Sequence, residues 1–192
     1  MFKTLVIASA LVLASAAQAG SFSGSTHDFS RGNSTTNACA VCHTRTSGLE
    51  TGAAVYTPYT STTMQAKGGG QPGASSKLCL ACHDGVLASN NFKVAGKSNL
   101  GTNLSNDHPI GIVYDDGLAA ADGSLHATTH NVTIGAGAQT KSGTIAVSML
   151  SSGKMECTTC HDVHNTFTAD GGKGQIKVSM VQSSLCTTCH DK

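Results

Sequence analysis

The pattern Cys-x-x-Cys-His occurs four times, at 39–43, 79–83, 157–161 and 186–190, and takes up all eight cysteines of the chain. On a helical turn, positions i, i+3 and i+4 share one face. Two thiols and the imidazole that follows them therefore point the same way. That is the attachment signature of c-type haem. The thiols form thioethers with the two vinyl groups of one porphyrin, and the histidine ligates its iron. Three other readings fit less well. A zinc site would use the thiolate pairs but does not require a histidine after each. A thioredoxin-like redox pair needs one Cys-x-x-Cys only. Structural disulfides would leave the four histidines without a reason. The pattern therefore points to four covalently attached haem c groups. They would be held by Cys39 and Cys42, Cys79 and Cys82, Cys157 and Cys160, and Cys186 and Cys189. The proximal iron ligands would be His43, His83, His161 and His190.

Residues 1–19 read as a secretory signal. Lys3 gives the positive end, Leu5 to Ala14 the apolar run, and Ala17-Gln18-Ala19 the small-residue cleavage site. The run is shorter than the about 20 residues that span a bilayer. No other stretch is long and apolar enough to do so. The expected product is residues 20–192, exported to the periplasm or beyond, with no membrane span in the mature part. Export agrees with haem attachment, which takes place outside the cytoplasm in bacteria. With 12 Lys+Arg against 11 Asp+Glu and no basic run, nothing suggests a nucleic-acid partner.

The chain lacks Trp, is only 4% aromatic and carries 22 glycines, which is little material for an ordinary apolar core. The expected fold class is a multihaem cytochrome c, one domain over 20–192. It should be mostly irregular, with short helices at the motifs, a small β-hairpin, and the haems as the core. Ser75 or Ser76 could cap the helix of the second motif, Asp84-Gly85 would end it, and Ser183 and Ser184 could cap the last helix. A β-rich insertion runs over about 86–156. Within it, 131–134 and 144–148 alternate like strands, with Gly135, Gly137 and Gly143 between. Tyr56 and Tyr59 are expected to pack on porphyrin, and Met64, Met149, Met155 and Met180 to pack rather than to ligate.

Five histidines lie outside the motifs: His27, His108, His126, His130 and His164. A surplus close to the number of haems points to a second histidine on each iron. His164 follows His161 by three residues, which turns it from its own haem toward a neighbouring one. His108 is stiffened by Pro109. His27 is followed by Asp28, which could accept its other ring N–H and fix the tautomer. For the fourth distal ligand His130 is favoured over His126, because it leads directly into a strand-like segment.

These features resemble the multihaem c-type cytochromes with doubled Cys-x-x-Cys-His motifs found in metal- and sulfur-reducing bacteria. The resemblance is carried by Thr26-His27-Asp28-Phe29-Ser30, Ser76-Lys77-Leu78-Cys79-Leu80-Ala81-Cys82-His83-Asp84-Gly85, Leu104-Ser105-Asn106-Asp107-His108-Pro109-Ile110-Gly111 and Cys157-Thr158-Thr159-Cys160-His161-Asp162-Val163-His164-Asn165. It implies bis-histidine haems in near contact, alternately stacked and T-shaped, and an electron-carrier role with other redox proteins as donor and acceptor. Some members are similar to tetrahaem subunits that polymerise into extracellular filaments. The chain departs from the family at one place. Members often read Cys-His-Thr-Pro-His after the first motif, where this chain has Cys42-His43-Thr44-Arg45-Thr46. That ligand is replaced by His126 or His130, by a histidine of a neighbouring subunit in a homopolymer, or by nothing.

Two functions follow. In the first, electrons pass through bis-histidine haems and no substrate pocket or enzymatic activity is needed. In the second, the chain is a small multihaem reductase working at one open iron, with Arg45 as the nearby cation.

Overall fold

A computed structural model describes residues 22–30, 38–43, 55–66, 70–85 and 99–191. The expected signal at 1–19 and Arg45 lie outside them. Every motif meets a short helix. Helix α1 (Ala38–His43) carries the first and α2 (Ala74–His83) ends on the second. Gly73 stands at the N-cap of α2, with no side-chain cap, which corrects the expectation for Ser75 or Ser76. The orphan N–H groups of a helix start need acceptors, and here one arrives from a distant segment: the Glu156 carboxylate takes the Gly73 N–H. Ser76 is left inside the helix, fully buried. At the other end the Asp84 N–H bonds the Leu80 carbonyl at 2.8 Å. Gly85 then turns left-handed at φ +77, the usual exit of a helix through glycine.

The insertion, described from residue 99, is a small folded unit. Strand β1 (Ile112–Val113) leads into α3 (Asp116–Asp122). Asp115 caps that helix by accepting the Leu118 N–H at 2.7 Å, and Gly123 closes it at φ +71. Strands β2 (Asn131–Ala136) and β3 (Gln139–Thr144) form an antiparallel hairpin, in register from Asn131↔Thr144 to Ala136↔Gln139. The expected second strand at 144–148 is corrected. Gly137, at φ +60, opens a two-residue turn of the kind that glycine permits, so pairing begins at once with Gln139. Residues Ile145–Ser148 form a short helix, α4. Strand β4 (Lys154–Met155) returns to pair with β1.

The third and fourth motifs follow. Helix α5 (Cys157–Cys160) holds the third, with His161 in extended conformation just after it. Helix α6 (Ser184–Thr187) begins the fourth. Ser183 stands at its N-cap but makes no capping bond, and the Ser184 hydroxyl donates to the Val181 carbonyl instead, so neither serine caps as expected.

The hairpin buries Val132 and Ile134 against Ile112, Tyr114, Ile145, Met149 and Met155. Burying one such side chain contributes about 1.5–3 kcal/mol, so the insertion has a polypeptide core of its own. Met149 and Met155 belong to it. Cys189 packs on the same cluster, the His126 N–H bonds the Cys189 carbonyl at 2.9 Å, and Leu125 bridges to His190. The fourth motif is thereby fastened to the insertion. A second small cluster joins Tyr56, Leu80 and Leu104 beside the second motif.

Candidate haem-attachment sites and axial histidines

Three motif histidines each face one histidine from elsewhere in the chain. The ring centroids of His27 and His83 are 6.0 Å apart, those of His43 and His164 6.1 Å, and those of His108 and His190 6.3 Å. The face-to-face stack of His126 on His130 is closer, at 4.0 Å. A spacing near 6 Å recurs at three motif histidines, although an edge-on ring pair such as His27 and Phe29 also lies at 6.2 Å. Two metal–nitrogen bonds of about 2 Å in line, with roughly 1 Å more from each nitrogen to its ring centre, separate two axial imidazole centroids by about 6 Å. The rings are therefore spaced as the two axial ligands of one iron. Each pair joins a Cys-x-x-Cys-His histidine to a lone one, so the residues fit a haem c at each of the three positions.

Local structure sets these rings. The His27 Nδ1 lies 2.5 Å from Gln175 Oε1, and this amide, not Asp28, is its acceptor. Asp28 is used for its own turn, taking the Gly24 and Ser30 N–H groups. Gln175 is buried, sits at φ +51, and anchors its Nε2 on the Val163 carbonyl. The carbonyl of the preceding Gly174 lies 2.6 Å from His161 Nδ1. One turn thus holds Nδ1 of two histidines and leaves Nε2 of each for a metal. His108 Nδ1 lies 3.1 Å from the Pro109 carbonyl. His164 is presented by Asp162, whose carboxylate accepts the N–H groups of His164, Thr166 and Phe167 at 3.1, 2.9 and 2.7 Å. Burial lowers the pKa of His27, opposed by its bond to Gln175. A neutral imidazole is the ligating form.

All eight cysteines are free of disulfides. Among the described residues no three His, Cys, Asp or Glu side chains converge as a metal cluster would require. Two thiols from different motifs do meet. Cys79 hydrogen-bonds Cys157, which pushes Cys79 up and holds Cys157 down. The joint is made by Ser76 and Glu156. The Cys157 N–H donates to Ser76 Oγ at 2.9 Å, and the Ser76 hydroxyl donates to the Glu156 carboxylate. Groups attached to Cys79 and Cys157 would therefore be neighbours. Beside the second motif, the Tyr56 hydroxyl donates to Asp84 at 2.9 Å. Burial first, then that bond, push its pKa up to about 12.

His161 and His130 are not brought together. Among the described residues His161 has no imidazole facing it across such a gap, while His130 is exposed and stacks on His126 with the ring planes 5° apart. Among the described residues the motif histidine that no other imidazole faces is thus His161, and not His43, after which this chain has Thr44-Arg45-Thr46. His164 takes the place opposite His43. Sequence reading missed Gln175, Glu156 and the pairing itself. Glu156 left a trace, since it stands directly before Cys157 and forms a capping box with Thr159. Gln175 left none, being 148 residues from the histidine it orients.

The chain matches no protein-family model and no curated protein. Among the described residues no helix is long and apolar enough to cross a membrane.

Proposed function

We propose that the chain is an exported tetrahaem c-type cytochrome that carries electrons between other redox proteins. The observation that carries this reading is the set of three histidine pairs at 6.0–6.3 Å, each including a motif histidine. Haem, when bound, supplies the one-electron chemistry of its iron. The polypeptide sets carbonyl acceptors at Nδ1 of His27, His108 and His161 and keeps attachment points close together. The contact of Cys79 with Cys157 supports near contact between the second and third groups.

Electron paramagnetic resonance of the ferric protein tests the pairings. Ring planes 7° apart at His43–His164 split the iron d orbitals along one direction, whereas planes 70° apart at His108–His190 nearly cancel that splitting. We expect two classes of low-spin signal, one rhombic and one strongly anisotropic. A spectrum with no low-spin iron would contradict the reading.

His161 favours a second feature. Its missing partner supports a ligand supplied by His126 or His130 of a second copy, as in a homopolymer, or an open iron, as in a small reductase. Dilution separates the two. If copies complete each other, a high-spin signal from one haem grows as the assembly comes apart. If the iron is open, that signal is present at every concentration.

A further inference from the structure

Glu156 is 3% exposed, and donors surround its carboxylate. Both oxygens lie 3.1 Å from the Gly73 nitrogen, the Ser76 hydroxyl donates to one of them, and the N-terminus of α5 adds the backbone N–H of a capping box. An ionised carboxylate is acceptor-only, and this shell suits one. Among the described residues, however, no Lys, Arg or His forms an ion pair with it. A buried charge without a counter-charge is costly even when its hydrogen bonds are complete. Glu156 directly precedes Cys157, and Ser76 lies one helical turn before Cys79. The carboxylate thus sits at the joint of two attachment helices. In a low-dielectric interior its field reaches both sites with little screening.

We propose that Glu156 is the shared counter-charge of the two irons attached through Cys79/Cys82 and Cys157/Cys160, and that it holds both at lower reduction potential than they would otherwise have. This rests on the haem reading above. A ferric haem with neutral axial ligands, one histidine or two, would carry one net positive charge at the ring and iron, and the ferrous form none there. A nearby fixed negative charge therefore favours the ferric state of each one-electron couple. Glu156 is a tuning residue whose hydrogen bonds go to Gly73, Ser76 and Thr159.

The experiment uses the full-length exported protein, with haem content measured first. Four haems in the wild type secure the reading on which the proposal depends, and their absence would count against that reading alone. Haem-resolved spectroelectrochemical titration then follows Glu156→Gln. Two of the four midpoints should rise and two should stay. Glu156→Asp, which keeps the charge, should restore values near wild type. Ser76→Ala leaves the charge, removes one of its donors and frees the Cys157 N–H that Ser76 accepts, so it should move the same two midpoints downward. It provides the test if Glu156→Gln does not accumulate. A purely structural role for Glu156 would shift all four midpoints together, or none, or cause haem loss without selective change. Any of these overturns the proposal.

Discussion

At the scale of single residues, the side chains that hold the histidines are themselves held. Gln175 keeps a left-handed backbone that few residues other than glycine and asparagine adopt readily, and it spends both ends of its amide, on His27 and on Val163. An acceptor at Nδ1 raises the basicity of an axial imidazole, which favours the ferric iron. Gln175→Leu should raise the midpoint of the haem between His27 and His83 while leaving the others near wild type, read by potentiometric titration. The two lost hydrogen bonds should cost about 1–3 kcal/mol of stability in denaturant. Asp162 acts on geometry rather than electronics. Asp162→Ala removes the acceptor of three backbone N–H groups and should cost about 1–3 kcal/mol. Because His164 is then no longer presented, the ferric protein should also gain a high-spin signal from the haem at His43. Of these residues, the histidines were legible in the sequence and their supports were not. A histidine announces itself by type and count. Its acceptor can be any amide or carbonyl that the fold delivers.

At the scale of elements, local rules decided more than composition suggested. The motif helices follow from the spacing of Cys-x-x-Cys-His, and Asp84-Gly85 ends α2 as its residues imply. Helix α3 could have been read from Asp115 at its start and Gly123 at its end. The hairpin was legible in its first strand, where Val132 and Ile134 face inward, but not in its second. Residues 139–142 carry no apolar alternation, and they pair because the turn at Gly137 leaves them no other course. The helix caps failed for a different reason: serines near a helix start cap it only if no stronger acceptor arrives from elsewhere, and at α2 the carboxylate of Glu156 does. One position in the hairpin is sharply constrained. Gly135 has φ +87, and a Cβ there would lie 1.9 Å from the Gln139 carbonyl oxygen. Gly135→Ala should destabilise the protein by about 1–3 kcal/mol, measured by chemical denaturation, with the fourth motif affected first because Cys189 packs on the same core.

At the scale of the whole molecule, the described chain has two features that bring distant segments together. One is the apolar cluster of the insertion. The other is a set of three imidazole pairs with ring centroids 6.0–6.3 Å apart, in which His43, His108 and His164 are exposed. Composition hinted at the second, since a chain without Trp and with few aromatics has little to bury. It did not reveal the first, because eight scattered apolar residues gather only once the hairpin and β1–β4 pair. The account as a whole rests on four porphyrins joined to eight sulfurs. The mass of the purified exported protein tests this most directly. It should exceed that of the processed polypeptide by four haems and keep that excess after denaturation, because the bonds are covalent. A denatured mass equal to the bare polypeptide, or lower by the hydrogens lost to disulfides, would contradict it.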